Sequence, residues 1–362
     1  MLSQSEILFW MSLALVPVSR QSKAIKHAGS VSALWERFGK DAALDEIFGD
    51  KTEVLKRYHS EQFIADCLEK LVKMNVKVAT IYNPYYGELL RQPEVAAPYV
   101  LYYKGNARLF SSDCFAVVGT RASSIYGKNM TEKIAGTLAE NGFTIVSGLA
   151  TGIDTFAHAA ALNVKGKTIA VLGSGLNKIG PVGNMALADK ILSSGGAIMS
   201  EYLPNMTATR FTFPERNRLI SGLSKGVCVI EAGDKSGALI TAKFALDQNR
   251  DVFAVPGNVG NIRSAGTNRL LYEGALVARS GEDILAHYGM LRKPAEKKKL
   301  PPMDDDAKKV FDMFIDADSV CFDDIVESTE LSPKKVSSIL TRLEIDKLIM
   351  KINPNEFSKN GD

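Results

Sequence analysis

The middle of the chain predicts an α/β fold on three observations. Short apolar runs alternate with helical stretches, the runs are apolar on both faces, and each ends in small or polar residues. The runs are Phe115–Val118, Phe143–Val146, Thr168–Leu172, Ala197–Ser200, Val227–Glu231 and Asp251–Val255. They lack the polar alternation of a half-exposed strand, as strands of a parallel sheet covered on both faces do. Helical periodicity follows at about Gly127–Asn141, Ile153–Asn163, Asn184–Ser194, Leu239–Asn249 and Asn268–Glu273. Strand, turn and helix start, repeated in this way, predict a doubly wound, Rossmann-like parallel sheet as the core of residues 76–285.

The flanks read differently. Residues 1–75 are helical, with one apolar stripe at Ile7, Leu8, Met11 and Leu15 and another at Leu34, Trp35 and Phe38. Leu2–Val16 is apolar but lacks a basic leader, so a helix packed in a core is expected rather than a signal peptide. The hairpin Val16-Pro17-Val18-Ser19-Arg20 could touch a DNA backbone, but it has no glycine to bring amides close to phosphate, and a packing or docking role is expected. Val76–Tyr82 and Tyr99–Lys104 read as two extra strands added to the main sheet, separated by a loop with Pro84, Pro93 and Pro98. Residues 286–303 form a linker with the run Lys297-Lys298-Lys299. Residues 304–362 read as three helices and a hairpin, a winged-helix pattern. Its third helix opens with Ser332 as N-cap and Pro333, its apolar positions are Val336, Ile339, Leu340 and Leu343, and the wing is Leu348–Ile352 with Glu356–Ser358.

At 362 residues the chain is long enough for about two or three cores. Its net charge of +3 does not by itself announce a nucleic-acid binder, but the charge is unevenly spread. Residues 115–285 and 286–299 each carry +4, whereas 300–362 carry −6. The four cysteines have no CxxC spacing, which speaks against a zinc ribbon and for reduced thiols in a cytoplasmic protein. The four histidines are scattered, so no metal site is expected, and no stretch approaches the length of a membrane span.

The polar groups that matter fall at strand ends. Gly119-Thr120-Arg121 sets a small residue, a hydroxyl and a guanidinium after one strand, and Ser147-Gly148 opens the loop after its neighbour. Such turns aim backbone N–H groups and helix N-termini at an anion, and arginine adds a planar fork for phosphate oxygens. The segment from Arg210 to Arg218 reads as a loop with three arginines among Phe211 and Phe213. Cations of that kind follow a backbone while an aromatic face stacks on a base. In the structural alternative, Arg216 pairs with a carboxylate such as Glu231. Lys235-Ser236-Gly237, with Thr241 beyond, opens another helix start. Gly173-x-Gly175 is half a dinucleotide fingerprint without its third glycine, so no NAD or FAD is expected. His158, four residues after Asp154, reads as a buried, hydrogen-bonded packing residue rather than a general base. Glu201 and Glu231 read as structural or ligand-orienting.

Taken in order, VVGTRASSIYG, VSGLATGID, TIAVLGSGLN, SEY, FPERNRLISGLS, SGALITA, VFAVPGN and GTN resemble the core motifs of the DNA-processing protein A (DprA/Smf) family. The resemblance implies a SAM-like helical domain over 1–75, an extended Rossmann core and a C-terminal winged-helix domain. It also implies a non-enzymatic, cofactor-free role: binding and protecting single-stranded DNA in natural transformation, helping to load RecA onto it, and dimerising through the core. On matching positions it implies Gly119, Arg121, Arg210, Thr212 and Phe213 as strand contacts. The candidate site is then Gly119, Thr120, Arg121, Ser147, Gly148, Arg210, Thr212, Phe213, Arg216, Asn217, Ser236 and Gly237. The chain departs from the family at Gly175–Pro181, where an Asp and a Tyr-Pro pair are usual. The acidic tail repels DNA in sum, so residues 304–358 are expected to contact protein, or the chain's own core, more than DNA. The rival is a LOG-type phosphoribohydrolase acting on nucleoside monophosphates. It is disfavoured because the stretch Glu231 to Thr241 has only Ser236-Gly237 in place of that family's glycine-rich loop.

Overall fold

A computed structural model describes residues 2–291, 303–314, 317, 319–346 and 348–360. They fall into two compact units, Met1–Leu291 and Arg292–Asp362. The basic run Lys297–Lys299 of the expected linker lies outside the described residues.

The first unit opens with six helices, α1 (Gln4–Leu13), α2 (Val18–Ala28), α3 (Val31–Arg37), α4 (Ala42–Phe48), α5 (Thr52–Tyr58) and α6 (Glu61–Lys73). Helix α1 starts with a capping box, Ser3 and Glu6 each satisfying the other's backbone N–H. It buries Ile7 through Met11, and its Trp10 ring meets Trp35, Phe38 and Phe48 edge-on. The same apolar core runs on to Tyr102, Ala170 and Ile198 of the sheet. In the α1–α2 hairpin, Arg20 is already engaged by the Phe48 carbonyl at 2.8 Å and by the Asp50 carboxylate.

Strands β1 (Lys77–Thr80) and β2 (Val100–Gly105) extend the sheet beyond β6, with β2 antiparallel to β6 and β1 antiparallel to β2 at the edge. The chain then alternates through β3 (Cys114–Val118), α7 (Ile125–Glu140), β4 (Thr144–Ser147), α8 (Ile153–Asn163), β5 (Lys167–Leu172), α9 (Met185–Ser193), β6 (Ala197–Ser200), α10 (Thr212–Leu223), β7 (Gly226–Val229), α11 (Gly237–Asp247), β8 (Asp251–Ala254), α12 (Ala265–Tyr272), β9 (Leu276–Val277) and α13 (Gly281–His287). The nine strands lie in the order β1-β2-β6-β5-β4-β3-β7-β8-β9, and β6 through β9 in that order pair in parallel. One face packs on Ile134, Leu138, Ala157 and Ile284 of α7, α8 and α13. The other packs on Leu219, Ala242 and Leu270 of α10, α11 and α12. Among the described residues no helix is long and apolar enough to cross a membrane.

One expectation changes, and one strand was not anticipated. The segment read as a loop from Arg210 to Arg218 is helical from Thr212 onward. Pro214 stands in the first helical turn, where its missing N–H costs nothing, so a residue read as a loop signal is a helix-start residue. Strand β9 also escapes the periodicity, because it is two residues long with both side chains exposed.

The second unit contains α14 (Asp305–Asp312), β10 (Val320–Cys321), α15 (Phe322–Thr329), α16 (Pro333–Ile345), β11 (Ile349–Asn353) and β12 (Glu356–Lys359). Val336, Ile339, Leu340 and Leu343 of α16 face its core with Val310, Phe311, Ile325 and Phe357. β11 and β12 form the antiparallel wing and β10 pairs with β12, which is a winged helix.

Candidate nucleic-acid interface

The order of strands places a crevice between β3 and β7. Successive strands run outward from β3 to β6, then α10 carries the chain back across the sheet to β7 on the other side of β3. Loops leaving β3 and β7 therefore turn to opposite faces, and ligands of such sheets bind where they part. Two glycines let the loops nest. A Cβ on Gly119 would stand 2.6 Å from Ile153 Cγ1, and one on Gly152, whose φ is +81°, would stand 2.4 Å from the Thr120 carbonyl. Thr120 donates its N–H to the Glu231 carbonyl at 2.8 Å and accepts from Ile153 N at 3.3 Å.

Arg216 seats α10 on the sheet. Its guanidinium is buried and donates to the Gly148 carbonyl at 2.8 Å and to the Val171 carbonyl. A Cβ on Gly148 would lie 2.6 Å from Arg216 Nη2, so glycine there makes room for the guanidinium. Asp154, at the start of α8, accepts from the amides of Gly148 at 3.0 Å and Ala150 at 3.4 Å. Burial pushes the Asp154 carboxyl up, and the Arg216 charge and those amides pull it back. Burial lowers Arg216 to about 10, with the Asp154 carboxylate opposing and the Arg121 charge assisting, so it stays charged at neutral pH.

Above this base lies a cavity of about 480 Å³. Gly119, Thr120, Arg121, Arg210, Phe213, Arg216, Asn217, Ser236 and Gly237 all line it. Arg121 and Arg210 are exposed and form no ion pair with a carboxylate among the described residues. Arg121 Cζ stands 5.3 Å from the Phe213 ring centroid, and Arg210 Cζ stands 4.7 Å from that of Phe211. Asn217 Nδ2 donates to the Gly237 carbonyl at 3.3 Å, tying α10 to the start of α11. Ser236 caps α11, and the first-turn residues Gly237, Ala238, Ile240 and Thr241 face the cavity.

Three expected residues do not line the cavity. Ser147 is buried and donates its hydroxyl to the Val117 carbonyl, and the Gly148 amide is taken by Asp154. Thr212 is buried at the head of α10, where its Oγ1 accepts from Thr209 N at 2.9 Å. These three hold the walls in place. The carboxylates are also committed. Glu231 accepts from Ser124 N at 2.9 Å and Ser124 Oγ at 2.5 Å at the N-terminus of α7, so Arg216 is not its partner. Glu201 pairs with Arg218. Asp154 was not among the candidates as a loop lock, although an acidic residue just inside a helix start after Gly152 is a readable signal.

The half fingerprint has a packing explanation. A Cβ on Gly173 would come within 3.1 Å of the Phe213 ring, and one on Gly175 within 2.0 Å of the Leu203 carbonyl. The departing loop Gly175–Pro181 bonds to the 203–206 segment, Gly175 N to Met206 O and Asn177 N to Pro204 O, each at 2.8 Å, and none of it lines the cavity. His158 is fully buried and shares its Nδ1 proton with Thr168 Oγ1 at 2.6 Å, while that hydroxyl donates to the Ile145 carbonyl. This is the packing role expected of it.

The family profile described as DNA recombination-mediator protein A matches residues 77–289, and that of the DprA winged helix domain matches residues 294–351. Protein Smf of Escherichia coli is 48% identical over 188 residues, which are 52% of this chain and 50% of that protein, so the match spans half of that relative's length. The DNA processing protein DprA of Streptococcus pneumoniae is 48% identical over 192 residues, 53% of this chain and 67% of its own length. Protein Smf of Synechocystis is 37% identical over 314 residues, 83% of this chain and 78% of its own. The X-ray structure of DprA from Streptococcus pneumoniae superposes with a TM-score of 0.66 at 36% identity, covering 79% of this chain and 98% of that one. A structure of DNA processing protein A from Helicobacter pylori, which concerns that protein's single-stranded DNA binding mode, superposes with a TM-score of 0.52 at 31% identity, covering 59% of this chain and 95% of that one. From its motifs, its sheet and these matches, the chain belongs to the DprA/Smf family of DNA recombination-mediator proteins.

Proposed function

We propose that this chain binds single-stranded DNA, without altering it, in the cavity at the β3–β7 crevice. In natural transformation it would shield the incoming strand in the cytoplasm and help load RecA onto it. The observation that carries this reading is the convergence of Arg121, Arg210 and Phe213 with the first turn of α11 on one cavity. Phosphates sit on the two exposed guanidiniums beside the positive N-terminal end of α11, and Phe213 takes a base or sugar. No base-edge code is involved, so binding tolerates sequence and weakens steeply with salt. That the structure of the Helicobacter pylori relative concerns single-stranded DNA binding supports the choice of a single strand as ligand.

In this reading residues 76–285 carry the strand and pair two chains through the core, so that one strand meets two cavities. Residues 1–75 support the sheet edge, and residues 304–362 contact protein. Exposed Ile345, Met350 and Ile352 on the winged helix suit that last role. The rival, hydrolysis of nucleoside monophosphates, needs a free carboxylate near the α11 start, whereas Glu231 is held by Ser124. A gel shift comparing single-stranded with double-stranded DNA, with and without RecA, tests the proposal. Preference for the single strand and earlier RecA filament formation are expected. Equal affinity for duplex, or release of free base from a nucleoside monophosphate, would overturn it.

A further inference from the structure

Arg263 does not line the cavity, yet it is docked on the loop that carries Arg121. It belongs to the segment 256–264 that follows β8 and meets the loops after β7 and β3. Its Nε donates to the Ala122 carbonyl at 2.8 Å. Its own N–H donates to Asn261 Oδ1 at 3.0 Å, and its carbonyl accepts from the Ala232 N–H at 2.8 Å. Four residues beyond Ala122, the Tyr126 hydroxyl donates to the Pro256 carbonyl at 2.9 Å, so two side-chain bonds clamp the β3 and β8 loops together.

The groups left over at this junction suit one kind of ligand. The Arg263 side chain is exposed, and among the described residues no carboxylate pairs with it and nothing bonds its two terminal nitrogens. Segments 119–126 and 256–264 hold two charged residues, Arg121 and Arg263, both positive. The acids of the β7 loop beside them are engaged, Glu231 by Ser124 and Asp234 by Arg269 at 3.5 Å. A guanidinium fixed through Nε still offers Nη1 and Nη2 as a planar pair of donors to phosphate oxygens. In the same two segments the Tyr126 ring is 45% exposed, and Val259 and Ile262 are 91% and 83% exposed. A held cation beside an open ring and apolar side chains is the surface a single strand uses, phosphate on the cation and base on the ring.

We infer that Arg263 and Tyr126 form a second contact on the strand, outside the cavity, and that the DNA backbone runs from Arg121 across the joined loops to Arg263. The inference rests on the reading of the cavity as a single-strand site and adds where the strand leaves it. Arg263 takes a phosphate beyond the one on Arg121, and Tyr126 takes an unstacked base with Val259 and Ile262 beside it. The contact reads no base edge, so it lengthens the site without making it selective for sequence.

Anisotropy titrations with labelled thymine oligonucleotides, from about four to about sixteen nucleotides long, test this. Strands that fill only the cavity should bind Arg263→Gln as tightly as the unaltered chain. Longer strands should lose about tenfold in affinity and about 0.7 of the salt slope. Arg121→Ala should weaken every length. A loss confined to long strands separates a direct contact from a loosened Ala122 loop, which weakens all lengths alike. In the unaltered chain, a photoreactive iodouracil walked along a long oligonucleotide should crosslink to Tyr126 from positions near one end. Three results would overturn the proposal: full affinity of Arg263→Gln for long strands, an equal loss at all lengths, or no crosslink to Tyr126 or segment 256–264 from any position. Unchanged strand binding with slower RecA filament formation would assign the surface to a protein and overturn it as well. If Arg121→Ala and Arg210→Ala weaken binding while Arg263→Gln does not, this inference alone fails. If none of the three has an effect, the reading of the cavity fails with it.

Discussion

The guanidinium of Arg121 stands over the ring of Phe213, 5.3 Å from Cζ to the ring centroid. The loop after β3 and the first turn of α10 thereby meet across the crevice, and a cation and an aromatic face are presented side by side. In the proposed reading the exposed part of the ring takes a base beside that charge. Phe213→Ala is expected to weaken binding of a labelled single-stranded oligonucleotide by about tenfold or more, because stacking is worth about 1–3 kcal/mol per base. Phe213→Trp should retain most of the affinity in the same anisotropy titration.

Arg121 and Arg210 are expected to act as phosphate contacts, and salt distinguishes them from Phe213. Each of Arg121→Ala and Arg210→Ala should reduce the slope of log affinity against log salt by about 0.7, the value for one phosphate on a single strand. Phe213→Ala should leave that slope unchanged. A titration at four or five salt concentrations reads both effects, and unchanged slopes in both arginine variants would count against the assignment.

Arg216 lines the same cavity, yet its bonds go to the Gly148 and Val171 carbonyls, so its variants should report on stability first. Arg216→Met leaves two buried carbonyls unpaired and Asp154 without its nearby charge, and is expected to cost on the order of 3 kcal/mol. Gly148→Ala drives a methyl group into the guanidinium and should cost about 1–3 kcal/mol. Urea unfolding of both variants checks these figures, and a loss of strand affinity without a loss of stability would place Arg216 among the direct contacts.

His158 predicts an acid sensitivity. Burial, with the nearby Arg216 charge, lowers its pKa from an ordinary 6.5 to about 3. The unfolded chain therefore takes up this proton before the folded one. The contribution is fully present above pH 6.5 and is lost progressively as pH falls toward about 3. Between pH 7.5 and pH 5 the loss from this group is about 2 kcal/mol. His158→Gln should flatten the pH dependence of unfolding by that amount relative to the unaltered chain, whatever the variant does to stability at pH 7.5.

Much of the fold was legible because its signals are local. Doubly apolar runs marked β3 to β8, and the spacing of Val336, Ile339, Leu340 and Leu343 marked the winged-helix core. Where local signals conflicted with packing, packing won. Pro214 read as a loop residue, but the burial of Leu219, Ile220 and Leu223 pulls the segment into α10. Leu276–Val277 carried no strand signal because two exposed residues have no alternation to show.

The chain of amino acids by itself determined which segments reach the crevice, since strand ends, helix starts and turn residues follow from periodicity and backbone chemistry within a few positions. Only the tertiary structure decided which of their groups are left over for a ligand. Among the described residues Arg121 and Arg210 form no ion pair with a carboxylate, whereas Arg216 reaches back to Gly148 and Arg218 to Glu201. Likewise Asp154 takes the Gly148 amide and Glu231 the start of α7. Arg216 and Gly148 lie 68 positions apart, and Glu231 and Ser124 lie 107 apart. The availability of a charge is thus set by which distant partner the fold brings beside it, and short-range pattern holds no record of that.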